Sequence, residues 1–191
     1  MSKNRMEAFS DGVIAIIMTI MVLNLKAPTG SNLATVLSVA PTFLSYVLSF
    51  VFLGIYWSNH HHLLQAIKHV DGRVLWANLH LLFWLSLTPF VTEWIGESHF
   101  APISVALYGV VLLLAAIAYF ILTKTLIAVH GKDSVIATAL GKDFKGKVSI
   151  ALYAAAIILS FVNPWLALAM YVFVAMIWLV PDRRIEKMLL Q

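Results

Sequence analysis

The sequence predicts an all-α membrane protein with six transmembrane helices and both termini in the cytosol, and three observations point to it. Hydrophobic residues make up 61% of the chain and charged residues 12%, with a mean hydropathy of +0.90. A soluble domain carries roughly 45–50% apolar and about 25% charged residues. The apolar residues also fall into six helical runs divided by Pro/Gly or charged turns. Finally, threading those six runs through a bilayer puts every Lys and Arg except Lys26 on one face, the asymmetry of cytosolic loops.

The first run, residues 5–26, reads RMEAFSDGVIAIIMTIMVLNLK. At about 1.5 Å per residue it spans roughly 33 Å, the thickness of a hydrocarbon core. No small-residue cleavage site follows it, so it is expected to be retained. Residues 27–32 form a Pro/Gly turn. Residues 33–40 are too short to span and lead into the second run, 42–67, where Pro41 marks a kink or the first turn of the helix. Residues 68–73 (KHVDGR) are a charged turn. The third run, 74–96, contains Pro89, whose kink frees carbonyls that Thr88 or a neighbouring helix must satisfy. The fourth, 102–129, has Gly131 as its C-cap. The connector 132–147 contains GKD twice but not the spacing of a phosphate loop. The fifth run, 148–162, is short. Asn163-Pro164 turns the chain into the sixth, 165–180, and Pro181 precedes a charged tail. One membrane domain, 1–191, accounts for the whole length.

Composition also excludes chemistry. With no cysteine there are no disulfides, thiolate metal sites or thiol catalysis. The net charge of +4 belongs to lysines at cytosolic helix ends rather than to a nucleic-acid surface. Trp57, Trp76, Trp94, Trp165 and Trp178 fall near span ends, as interfacial anchors do.

Function is expected in the first helix. Ile16, Thr19, Ile20 and Leu23 recur at helical spacing and form one stripe. Asp11, five residues before Ile16, points to nearly the opposite side, and a carboxylate inside a spanning helix needs a reason to be there. The second helix ends in YWSNHHHLL. Consecutive residues on a helix diverge by about 100°, so His60, His61 and His62 do not converge on one metal ion. One of them is expected to pair with Asp11 at the same depth. Asn78 is either a hydrogen-bond partner inside the bundle or an interfacial cap. Thr19 is expected to bond back to a carbonyl four residues earlier.

The string Arg5-x-x-x-Phe9-Ser10-Asp11-Gly12 at the start of the first helix resembles the RxxxFSDG signature of the transmembrane protein 175 family, potassium-permeable channels with single-repeat prokaryotic relatives. The VLNLK end of helix one, the YWxxHH of helix two (Trp57, His60, His61) and the NLxLL…LTPF run that begins at Asn78 agree with it. The resemblance implies a homotetramer in a prokaryotic inner membrane, with helix one lining the pore. It also implies that Ile16, Ile20 and Leu23 form an apolar constriction, and that Thr19 supplies a hydroxyl layer favouring K⁺ near Ile16 and Thr19. Arg5, Phe9, Ser10 and Asp11 would brace helix one against helices two and three. An ideal wheel sets Arg5 and Phe9 near the Ile16 stripe, which sits badly with bracing.

The chain has no TVGYG-like loop, so a filter of stacked carbonyls is excluded, and selectivity must come from helix side chains. Rings of Ile and Leu close a path by occlusion or dewetting, so K⁺ over Na⁺ preference is expected to be modest. Glu93 and Glu97 are weak candidates for cation preference at the mouth. No cofactor beyond the permeant ion and no structural metal is expected; the partners are other copies of the chain, monovalent cations and lipid. A secondary transporter is the alternative, though no pair of matching helix breaks supports it. An enzyme lacks a nucleophile beside Asp11 and the histidines.

Overall fold

The computed structural model describes residues 2–131, 133–140 and 143–179, and among these every regular element is a helix. In chain order they are α1 (Lys3–Leu23), α2 (Leu33–Ser38), α3 (Ala40–Gln65), α4 (Gly72–Ser86), α5 (Thr88–Glu97), α6 (Pro102–His130), α7 (Val135–Leu140), α8 (Phe144–Leu159) and α9 (Pro164–Leu179). Four stretches are long and apolar enough to cross a membrane: α1, α3, α4 together with α5, and α6. The protein is an integral membrane protein. α8 and α9 have 16 residues each, about 24 Å at helical rise.

Local chemistry sets the ends. α1 stops at the Asn24 cap, short of the expected Lys26. Residues 33–38 form a separate helix, because the Asn32 side chain accepts from the Thr35 amide and caps it. Pro41 sits in the first turn of α3, where its missing N–H breaks no bond. Asp71 caps α4 through the Val74 amide at 3.0 Å. That bond, with Arg73 beside it, holds the Asp71 carboxyl below the usual carboxylate range. At the expected kink, Leu87, itself in αR, is the single residue between α4 and α5, Pro89 lies in the first turn of α5, and the two helices form one 26-residue span. α8 begins four residues earlier than expected, since Asp143 accepts from Gly146 and caps it. Asn163 caps α9 by accepting from Trp165 and Leu166. The expected end of the last run at 180, and Lys132, Lys142, Arg183, Arg184 and Lys187, lie outside the described residues.

α3 runs antiparallel to α1, and α4 with α5 returns parallel to α1, so the bundle has two distinct ends. At one, Lys3 Nζ donates to the Gln65 carbonyl and His130 Nε2 accepts from the Lys68 amide. At the other, Lys26 meets Glu97 at 3.5 Å, and Phe100 packs on Trp165. Two apolar clusters fill the interior. The first joins α1, α3, α4 and α6 through Met6, Ile14, Leu63, Leu81 and Leu122. The second joins α3, α5, α6, α8 and α9 around Phe52, Val91, Tyr108, Tyr153 and Tyr171.

Several polar groups at the second cluster are paired, which offsets the cost of burying them. Thr92 Oγ1 lies 2.6 Å from the Thr88 carbonyl and 2.6 Å from Ser49 Oγ, which lies 2.9 Å from the Tyr108 hydroxyl. Close approach of α3 and α5 depends on Gly96. A Cβ there would stand 2.6 Å from Thr42 Cα and 2.8 Å from Ser45 Oγ. Because the nearer obstacle is backbone, Gly96→Ala is expected to destabilise the protein by about 1–3 kcal/mol, read as a lower unfolding midpoint in detergent.

Candidate functional site

α1 has two unlike faces. Met6, Ser10, Ile14, Ile17 and Met21, spaced by three or four, are buried against the bundle. The opposite face carries Arg5, Phe9, Gly12, Ile16, Thr19, Ile20 and Leu23, all exposed in the single chain. The fractions are high for the apolar members: 58% for Ile16, 43% for Ile20 and 77% for Leu23. Lipid between helices is as apolar as leucine, so this exposure alone does not drive association. Thr19 donates to the Ile16 carbonyl at 2.9 Å, three residues back rather than the expected four. It is exposed in the single chain, and from Gly12 to Leu23 it carries the only side-chain oxygen.

A half-buried flank of α1, beside its buried face, is tied to α3 by a polar ladder. Lys3 Nζ donates to the Gln65 carbonyl, His61 Nδ1 donates to Glu7 Oε1 at 3.1 Å, and Trp57 Nε1 donates to Asp11 Oδ1 at 3.1 Å. On α1 the rungs step by four residues toward the C-terminus; on α3 they step by four toward the N-terminus, as antiparallel helices require. The expected pairing of Asp11 with a histidine is therefore corrected. Asp11 takes the indole of Trp57, and the histidine partner is His61, which belongs to Glu7. His61 lies one turn beyond Trp57, so it meets the carboxylate one turn nearer the α1 N-terminus. The Gln65 side chain closes the ladder by donating to His61 Nε2 at 2.8 Å.

A second, buried line crosses from α3 through α4 to α1. Asn78 Oδ1 accepts at 2.7 Å from His60, so the His60 proton sits on Nε2. Asn78 Nδ2 donates to Ser10 Oγ at 2.9 Å, and Ser10 donates to the Met6 carbonyl at 2.8 Å. Asn78 is thus a partner inside the bundle, at 1% exposure, and not an interfacial cap. His60 Nδ1 has no partner among the described residues. The three neighbouring histidines diverge: His60 reaches α4, His61 reaches α1, and the His62 ring lies 5.8 Å from that of His61.

Of the four signature residues expected to brace α1, Ser10 and Asp11 reach other helices. Arg5 and Phe9 are exposed in the single chain. α1 is a regular helix through this region, so both stand on the exposed face above Ile16. Gly12 shares that face, and a Cβ added to it would meet nothing within 4 Å in the chain. Lys3 and Gln65 were not singled out from the sequence. The four-residue spacing of Lys3, Glu7 and Asp11 against Trp57, His61 and Gln65 is the signal that identifies the ladder.

Residues 5–89 match the family described as endosomal/lysosomal potassium channel TMEM175. The chain is 55% identical over 189 residues to a protein named potassium channel from Chryseobacterium sp., covering 99% of this chain and 98% of that one. It is 30% identical over 177 residues to a protein named potassium channel from Chamaesiphon minutus, covering 85% and 86% of the two. To the human protein named endosomal/lysosomal proton channel TMEM175 it is 38% identical over 80 residues, 36% of this chain and 16% of that one. The fold resembles the crystal structure of a lysosomal potassium-selective channel TMEM175 homolog from Chamaesiphon minutus, with a TM-score of 0.84, 28% identity and coverage of 94% and 97%.

Proposed function

The chain belongs to the TMEM175 family of channels, and on that premise we propose that it is a potassium-permeable channel whose pore is lined by α1 from four copies of the chain. The observation that carries this reading is the split of α1. One side is secured to α3 and α4 by four hydrogen-bonded contacts, while the other presents Ile16, Thr19, Ile20 and Leu23 to the outside.

The exposed arc is itself divided. Ala8, Gly12, Ala15 and Thr19 recur at intervals of four, three and four, and form a small-residue strip beside the bulkier Phe9, Ile16, Ile20 and Leu23. With the bulky strip on the axis, the small strip faces the next copy, where small residues let helix backbones approach. Gly12, which nothing in the single chain explains, then has a neighbour. The apolar rings are the gate and close the path by dewetting or occlusion. Thr19 is the one layer able to replace part of an ion's water, so preference for K⁺ over Na⁺ is modest. K⁺ near Ile16 and Thr19 is the only ion required; no cofactor or structural metal enters.

In this reading α8 and α9 are the fifth and sixth spans, and the end bearing Lys3, Arg5, Lys68, Arg73, Lys124, Lys145 and Lys147 faces the cytosol of a prokaryotic cell. The ladder and the Ser10–Asn78–His60 line then brace α1 at its cytosolic end. The decisive experiment is reconstitution with reversal potentials under K⁺/Na⁺ and K⁺/Cl⁻ gradients. The expected result is ohmic steps carried by cations; saturable flux coupled to a gradient would point to a transporter instead. Thr19→Val, which keeps the shape and removes the oxygen, is expected to move the K⁺/Na⁺ reversal potential toward zero selectivity.

A further inference from the structure

We propose that Glu97 neutralises Lys26 at the outer mouth of the pore, and that this pair sets how fast K⁺ enters from that end; the inference rests on the α1-lined pore proposed above. Lys26 lies just past the end of α1. The Asn24 amide donates to the Met21 carbonyl and the Leu25 amide to the Val22 carbonyl, which carries the coil beyond Leu23, and the Lys26 amide donates to the Asn24 carbonyl. The residue is therefore held at the helix end. Copies of α1 around an axis gather their Lys26 ammonium groups at one mouth, and such a ring repels cations. At the end of α5, Glu97 Oε1 stands 3.5 Å from Lys26 Nζ.

The contact is too exposed to matter much for stability. The two side chains are 78% and 56% exposed in the single chain, and ion pairs in water contribute little. What the pair changes is charge. Among the described residues, this end of the bundle carries one cation, Lys26, and two carboxylates, Glu93 and Glu97, a balance of −1 per chain that becomes 0 without Glu97 and −2 without Lys26. His99, also at this end, hydrogen-bonds through Nδ1 to the Glu97 backbone carbonyl at 3.1 Å. A cavity of about 470 Å³ opens beside the pair, lined by Asn24, Lys26, Thr42 and Glu97 among others. A neighbouring hollow of about 280 Å³ shares Glu97 and adds Glu93. At about 30 Å³ per water, the larger one has room for a hydrated cation. Lys26 and an arriving K⁺ then compete for the same carboxylate.

The test records unitary current from the full-length protein in oriented membrane patches at about 20 mM and about 1 M KCl, between which the screening length falls from roughly 20 Å to about 3 Å. At low salt, where ion arrival limits the current, Glu97→Gln is expected to lower current entering from the Lys26 end about threefold. At high salt, and for current leaving at that end, the same variant is expected to stay within about 1.5-fold of the unsubstituted protein. Lys26→Gln is expected to raise low-salt entry about twofold. The variant carrying both substitutions has the original charge balance without the ion pair, so its entry current is expected to return near the original value. A double variant as impaired as Glu97→Gln makes the contact a structural tie and overturns the proposal, as do entry currents indifferent to both single variants. Ile16→Asn, recorded alongside, separates the two levels. If it changes unitary current while the mouth variants do not, the α1 pore stands and this inference alone falls; if the unsubstituted protein passes no cation steps, both fall.

Discussion

Ile16→Asn is expected to raise K⁺ conductance by about tenfold, the effect of removing about 1.4 kcal/mol from a dewetting barrier. Ile16 stands in the middle of the exposed strip of α1 and is 58% exposed in the single chain. In the proposed tetramer four such side chains form a ring that water leaves; four carboxamides would keep it wet. Bilayer recording of single channels separates this from a change in protein yield. The neighbouring residue is the control. Ile17 is 4% exposed and packed inside the bundle, so Ile17→Asn buries an unpartnered amide and is expected to lower the unfolding midpoint without opening the channel. If Ile16→Asn leaves unitary current unchanged, α1 turns this face to lipid and the pore lies elsewhere.

The second large effect is on stability. Asn78→Leu removes the acceptor of His60 and the donor to Ser10 in one step. A single side-chain hydrogen bond between membrane helices averages about 0.6 kcal/mol, with about 1.7 at most. An abandoned buried partner raises the loss. Two bonds and one stranded ring nitrogen on a residue with no exposure therefore place the expected loss at about 1–3 kcal/mol, visible as a lower unfolding midpoint in detergent and a smaller assembled fraction in size-exclusion chromatography. Adding His60→Phe to Asn78→Leu removes the stranded group and is expected to recover part of the loss. A midpoint that does not move in Asn78→Leu would show that the line from α3 to α1 contributes nothing to holding α1.

How much of this was legible beforehand depends on the range of the interaction involved. The family was legible, because RxxxFSDG is a contiguous string and its chemistry travels with it. The two faces of α1 were legible too, since 100° per residue is a property of the helix alone. Pro89 announced an interruption, because its missing N–H removes one helical bond wherever it stands, and the structure places that interruption at Leu87. The start of α8 was missed because Asp143, a capping residue, sits among lysines and glycines that read as a loop.

The partners of Asp11 were not legible in the same way. Depth alone made any of three histidines a candidate. The choice depends on the rotation of α3 about its own axis, which puts Trp57 against Asp11 and His61 against Glu7, and rotation is set by what fills the far side of the helix. Phe9 and Arg5 illustrate the reverse case: the wheel placed them with Ile16, and the regular course of α1 keeps them there.

The sequence by itself determined that this is an all-helical integral membrane protein of the TMEM175 family, with an apolar stripe and one hydroxyl on its first helix. Those properties follow from composition, helical period and a local string, none of which needs a neighbour. Only the tertiary structure decided which carboxylate holds which side chain, that Asn78 lies inside the bundle, and that Lys26 meets Glu97. Such pairings depend on the rotation and offset of one packed helix against another, which side-chain fit across the whole interior sets.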